Sequence, residues 1–191
     1  MRNVILTGGC RTPVGIMGGA LSSLSAAELG AVVIKEALRR SGVPAGQVDE
    51  VYMGCVIQAG QRPNVARQAA LGAGIPVDVP ATTLNVLCGS GLHCVNTAAR
   101  IVAGGFADIV VAGGTESMST APYLVNQGRF GYRMGSGKLE DSLLYDALID
   151  PFCQYHMGVT AENVARQWNL KREELDEFAV WSHEKSLKAC K

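Results

Sequence analysis

The chain has 191 residues, 48% hydrophobic and 18% charged, which is enough to bury a sizeable core in one domain or a domain with an appendage and too apolar for a disordered chain. Its 17 basic and 17 acidic residues cancel, which argues against a nucleic-acid partner held mainly through phosphates. No apolar run approaches bilayer-spanning length, so no membrane is expected as a partner.

Residues 4–7, Val-Ile-Leu-Thr, read as a buried strand, followed by a Gly8-Gly9 break and the turn-like run Arg11-Thr12-Pro13-Val14-Gly15. No charged and apolar leader precedes that strand, which with reduced thiols predicts a cytoplasmic protein. Ser25 and Glu28 form an S-x-x-E capping box, Leu24 and Leu29 are spaced as a hydrophobic staple, and Leu29, Val32, Val33 and Ala37 continue an apolar helix face. Ser41-Gly42 and then Pro44 stop that helix. Residues 51–57 predict a second strand, 65–73 a small-residue helix, 82–86 a third strand, 91–104 a helix and 109–112 a fourth strand.

Strands alternating with helices predict an α/β fold, a mainly parallel mixed sheet with helices on both faces. The helix over 91–104 carries Ala98, Ala99, Ile101, Val102 and Ala103, with Arg100 the only charge in its second half. Such a helix needs cover beyond a single sheet, from a second layered domain or another chain. From Thr115 the texture changes, and the glycine-, tyrosine- and arginine-bearing stretch 126–138 reads as an excursion, not sheet. Thr160 is placed to cap a short amphipathic helix reaching Trp168, and 173–188 predict another with Leu175, Phe178, Ala179 and Ser182 along one face. The expected organisation is therefore a core over 1–117 and a loop region with two or more helices over 118–191. No strand follows, so the sheet lacks its last member unless another polypeptide completes it.

The chemistry concentrates at Asn85-Val86-Leu87-Cys88-Gly89-Ser90-Gly91-Leu92-His93-Cys94, where a strand-like run turns into a helix opened by glycines. Amide N–H groups at a helix start lack intrahelical partners, and the macrodipole leaves roughly half a positive charge there, so the Cys88 thiolate is favoured as a nucleophile. Gly89 and Gly91 leave room for an acyl thioester to reach the sulfur and nearby oxyanion donors. Without those glycines a cysteine in this setting is an inert small hydrophobe, the reading given to Cys10, Cys55, Cys94, Cys153 and Cys190. The six cysteines show no paired spacing of the zinc-binding kind, so no metal is expected. His93 falls roughly 140° around a helix from Cys88 and is assigned to structure. His183 sits on a charged amphipathic helix and reads as solvent-facing, and Glu116 in Gly-Gly-Thr-Glu-Ser reads as loop support. No G-x-G-x-x-G opens the first helix, which removes a nicotinamide cofactor.

The motifs in order resemble a thiolase, an acetyl-CoA acetyltransferase of the thiolase superfamily: the opening Arg11-Thr12-Pro13-Val14-Gly15, the elbow from Asn85 to Gly91, Gly113-Gly114-Thr115-Glu116-Ser117-Met118-Ser119, and Tyr155-His156-Met157-Gly158-Val159-Thr160-Ala161-Glu162-Asn163. The resemblance implies that Cys88 takes up the acyl group, and that His156, Met157 and Leu148 border the pantetheine and acyl end of coenzyme A, which is substrate and product; no other cofactor is implied. It also implies that the loop over 127–139 serves oligomer assembly. Only the first half of a thiolase is matched: a Gly-His-Pro histidine, a Cys-x-Gly cysteine and an Asn-Glu-Ala segment have no counterpart here. The resemblance thus predicts one piece of a divided thiolase, or a fragment, working with a companion chain in a hetero- and homo-oligomer. Two alternatives are a noncatalytic acyl-CoA-binding or scaffolding half-thiolase, and a related condensing enzyme of the ketoacyl or hydroxymethylglutaryl synthase type.

Overall fold

The computed structural model describes residues 2–189, which divide into two compact units, Met1–Ala147 and Leu148–Lys191. In the first unit, Ser25 starts helix α1 (Ala26–Ser41) with the expected capping box. Its Oγ accepts from the Glu28 amide at 3.2 Å while the Glu28 carboxylate takes the Ser25 amide at 2.8 Å. Gly42, at φ 70, ends the helix in the left-handed conformation that glycine adopts without penalty.

The buried face of α1 is Ala26, Ala27, Gly30 and Ile34, with Val32 58% exposed, so the expected stripe of Leu29, Val32, Val33 and Ala37 is displaced. Close approach is the reason. A Cβ on Gly30 would stand 2.9 Å from the Ala69 Cβ on α2 (Val65–Gly72), and one on Gly72 3.1 Å from the Ala31 Cβ. Two helices that meet this closely do so through their smallest residues.

Three parallel strands, β1 (Glu50–Gly54), β2 (Ala81–Leu84) and β3 (Val110–Gly114), lie in the order β2-β1-β3. Val51 pairs with Ala81 on one side and Val111 on the other. Alternation along β1 sends Val51 and Met53 into a core with Ile34, Ala66, Ala69, Ala70 and Ile75, beneath α1 and α2. Each such large side chain contributes about 1.5–3 kcal/mol by leaving water. The opposite parity of β1 and β3 receives helix α3 (Ser90–Gly104), giving the expected α/β arrangement with helices on both faces of a parallel sheet. α3 buries only Ser90, Cys94 and Ala98, one stripe at a spacing of one turn; Ile101, Val102 and Ala103 are half-covered.

The strand expected over 4–7 is not formed: Ile5 is 84% and Leu6 76% exposed. Strand geometry requires a ladder partner, and the segment from Thr7 to Thr12 instead faces Val111–Glu116 and the Leu29, Val33 and Ala37 side of α1 across a cavity of about 290 Å³. Arg2 is tied elsewhere, its amide donating to Ala103 O at 3.1 Å and its guanidinium paired to Asp108. No strand forms within 126–138, as expected; a short antiparallel ribbon, β4 (Tyr123–Leu124) with β5 (Glu140–Asp141), closes the loop over 125–139 at its base.

In the second unit a turn leads into α4 (Met157–Gln167) and α5 (Arg172–Ala189). Thr160 does not cap α4; the helix starts three residues earlier and His156 is its N-cap, Nδ1 accepting from the Gly158 amide at 2.9 Å. An imidazole nitrogen replaces the hydroxyl sought at this position. α5 buries no residue within its unit, leaving Leu175 41% and Phe178 66% exposed, and His183 is exposed as expected. Among the described residues no helix is long and apolar enough to cross a membrane.

Candidate active site

Between the end of β2 at Leu84 and the start of α3 at Ser90 the chain turns so sharply that Leu87 takes φ 56, a conformation a leucine rarely adopts. It is held from both sides. Asn85 Oδ1 accepts the Leu87 amide at 2.9 Å, and the Leu87 carbonyl accepts from Ser90 Oγ at 2.6 Å and from the Ser90 amide at 2.9 Å. The same Oγ accepts the Val86 amide at 3.0 Å. Ser90 is buried and thereby fastens both residues that precede Cys88, while Cys88 itself is exposed.

Two glycines outside the elbow let α3 meet the sheet. A Cβ on Gly54, the last residue of β1, would stand 2.6 Å from the Ser90 Cβ and 2.8 Å from the Gly91 nitrogen, and one on Gly114, the last of β3, 3.2 Å from the Gly91 Cα. The N-terminus of α3 therefore rests on the carboxyl ends of β1 and β3, where parallel sheets present ligand sites. In its first turn the Ser90 amide goes to Leu87 O and the His93 amide to Gly89 O. Among the described residues this leaves the Gly91 and Leu92 amides unclaimed, with the positive end of the helix behind them. Gly89, the N-cap at φ −81, is open, a Cβ there meeting nothing nearer than Val86 O at 3.5 Å.

The other elbow residues are structural. His93 is half-buried; Cys94 is fully buried, and burial pushes its thiol up. Cys55, at the exit of β1, is buried as expected, and its thiol is pushed up to about 12 by burial and then by the adjacent Glu116 carboxylate. Glu116 supports this loop as the sequence suggests, accepting the Val56 amide at 2.8 Å and the Ile57 amide at 3.2 Å. Cys10 is part-buried, its Sγ donating to Val33 O. Cys153 is exposed, which corrects its assignment to a core, and Cys190 lies outside the described residues. Sequence reasoning missed Gly54 and Asn85 as site builders. Gly113-Gly114 at a strand end was a visible signal, whereas Gly54 within Met-Gly-Cys carried none.

In the second unit, Ile149, next to Leu148, bridges His156, next to Met157, in antiparallel register. The hairpin is closed by Asp150, whose amide donates to Tyr155 O at 2.9 Å and whose Oδ1 accepts from Cys153 and Phe152, bonds that hold its carboxyl below the usual range. The three residues expected to border one ligand are thus brought to one hairpin and helix start: Leu148 half-buried, His156 and Met157 exposed. With Nδ1 of His156 committed to the Gly158 amide, the ring proton sits on Nε2.

An α/β layer with a cysteine at a strand-to-helix elbow and a histidine-capped helix farther along defines a class, and comparison with known proteins specifies it. The family described as "Thiolase, N-terminal domain" matches residues 4–191. The acetyl-CoA acetyltransferase of Cupriavidus necator is 52% identical over 191 residues, covering 100% of this chain and 49% of that protein. The protein of that name from Syntrophomonas wolfei is 50% identical over 183 residues, 95% of this chain and 46% of that one. A probable acetyl-CoA acyltransferase of Staphylococcus aureus is 48% identical over 189 residues, 99% and 48% respectively. The chain belongs to the thiolase family. The region matched is that family's N-terminal domain, and the chain spans about half the length of the curated relatives it matches.

Proposed function

We propose that this chain is the nucleophile-bearing half of an acetyl-CoA acetyltransferase. The exposed Cys88, set on a fastened elbow over the carboxyl ends of β1 and β3, carries the reading. The Cys88 thiolate attacks the thioester carbonyl of acetyl-CoA, the carbonyl-to-sulfur bond of the donor breaks, and coenzyme A leaves with a proton. The Gly91 and Leu92 amides, with Gly89 and Gly91 keeping the approach clear, face the charge that develops. A base then deprotonates a second acetyl-CoA, whose carbanion attacks the acetyl-cysteine and releases acetoacetyl-CoA and the thiolate.

No group here is assigned to that base. In this proposal it belongs to the C-terminal half, carried by a companion chain, and the half-covered apolar residues of α3 support such a partner. His156, Met157 and Leu148 border the pantetheine of coenzyme A, the only cofactor-like molecule involved. The loop over 127–139 lies in an excursion region (118–191) beyond the core (1–117) and serves oligomer assembly. A reducing, cytoplasmic setting belongs to the same proposal, because the chemistry needs Cys88 as a thiol.

The test is peptide-resolved mass spectrometry after the chain, mixed with a C-terminal half cut from the Cupriavidus necator relative, meets acetyl-CoA. Acetyl is expected on Cys88, and Cys88→Ser should lose acetyl transfer by at least about 10³-fold while keeping its fold. No adduct under conditions that acetylate the full-length relative sinks the enzyme reading and leaves a noncatalytic acyl-CoA scaffold.

A further inference from the structure

The φ 56 of Leu87 is a conformation that persists only where its surroundings over-determine it, and Leu87 is bonded directly to the residue that carries the nucleophile. Ser90 holds its carbonyl side. Its amide side is held by Asn85 Oδ1, and the Asn85 side chain is oriented in turn by its Nδ2, which donates to the Val56 carbonyl at 3.4 Å. Val56 lies in the loop that leaves β1, and its own amide donates to Glu116 Oε2 at 2.8 Å. Glu116 Oε1 takes the Ile57 amide at 3.2 Å and the Cys55 thiol at 3.5 Å, so three donors from consecutive residues converge on one carboxylate. On its other side the loop is fixed to β2 by the Cys55 amide, which donates to Leu84 O at 3.0 Å.

A hydrogen-bonded path therefore runs from the end of β3, through the exit of β1, to the elbow after β2. From this geometry we infer that Glu116 is a positioning residue for Cys88, acting through Val56 and Asn85 on the backbone of Leu87. It touches neither the sulfur nor anything bound to it. A carboxylate is the fitting group here because it accepts from Val56 and Ile57 at once. A glutamine presents one acceptor and one donor, so one of the two amides would face an N–H instead of an oxygen. An aspartate, one methylene shorter, cannot span the same gap from the end of β3.

The inference rests on Cys88 being the reactive thiol, but its test does not rest on acetyl transfer. The full chain is treated with iodoacetamide across a pH series, and alkylation of Cys88 and of the exposed Cys153 is followed in separate peptides. Glu116→Gln is expected to slow Cys88 alkylation roughly tenfold, the scale of coupling within one network, with Cys153 unchanged. Asn85→Ala should reproduce that loss, and the double variant should lose no more than either single one. A Glu116→Gln chain that melts lower while its Cys88 pH profile matches the wild type overturns the inference. So does an unchanged profile in Asn85→Ala, whatever becomes of Glu116→Gln, and so do losses that add in the double variant. Failure of acetylation with normal coupling in this assay would count against the acyltransferase reading alone.

Discussion

Adjacent strands β1 and β2 leave the sheet in the same direction, and a cysteine follows each within a few residues. At the β1 exit the sulfur is turned inward: Cys55 is 1% exposed, beside Glu116, and kept protonated. At the β2 exit the chain overshoots through a left-handed residue, and Cys88 emerges above the first turn of α3. Identical side chains are given opposite surroundings, an anion and apolar core in one case, solvent and unclaimed amides in the other. The glycines at the strand ends make the second arrangement possible, because they let the helix N-terminus settle onto the sheet.

The sharpest way to break that arrangement is at Gly54. A β-branched side chain there meets Ser90 and Gly91 backbone that has nowhere to go, so Gly54→Val is expected to cost about 1–3 kcal/mol by overpacking and to slow alkylation of Cys88. Gly46→Ala is the control, since a Cβ at Gly46 meets nothing within 4 Å; its cost should stay within about 0.5 kcal/mol. Denaturant titrations of the two variants decide. Equal midpoints would mean that α3 does not rest on β1 as described.

A smaller break is Ser90→Ala, which removes an acceptor from the Val86 amide and a donor from the Leu87 carbonyl. Both bonds are part-buried and the Leu87 carbonyl keeps the Ser90 amide, so the loss should cost about 0.5–1.5 kcal/mol. The effect should be larger on Cys88 reactivity than on anything at Cys55. Loss of stability with the Cys88 alkylation rate preserved would show that Leu87 holds its conformation without Ser90.

Most of the layer that carries this comparison was legible in the sequence, since short-range rules govern it. The capping box at Ser25 and Glu28 and the stop at Gly42 formed where capping chemistry put them, and strands formed around Val51, Thr83 and Val111, although the one expected over 51–57 ends at Gly54, where the next amides turn to Glu116. Failures occurred where the deciding contact was distant or unusual. Residues 4–7 have strand composition but pair with no strand, and the buried face of α1 was set by Ala69 on another helix. At Thr160 the standard cap chemistry pointed four residues too late, because the side chain that caps α4 is an imidazole. The elbow was readable from Cys88 and its glycines, but its bracing was not: the path from Glu116 to Asn85 passes through the Val56 amide and carbonyl, groups that every residue carries.

The gentlest way to sharpen the contrast between the two sulfurs is pH. In the folded chain burial, and then Glu116, raise the Cys55 thiol from an ordinary 9.0 to about 12. A group whose folded value is raised stabilises fully below its unfolded value, and that contribution is lost as pH climbs through the folded value. Between about pH 9 and 12 the unfolded chain releases a proton that the folded chain retains, so stability falls across that window. Tyr52 is also pushed up to about 12, by its hydrogen bond to Glu50, so the wild type alone does not isolate the cysteine. Comparison with Cys55→Ala does, because Tyr52 titrates in both. The melting advantage of the wild type at about pH 8 should narrow by roughly 5–10 °C towards pH 11. At the lower pH iodoacetamide should label Cys88 in the folded chain and Cys55 only after denaturant is added. A constant gap in melting temperature, or labelling of both thiols at one rate, would mean that the two strand exits do not divide the chemistry of their sulfurs in this way.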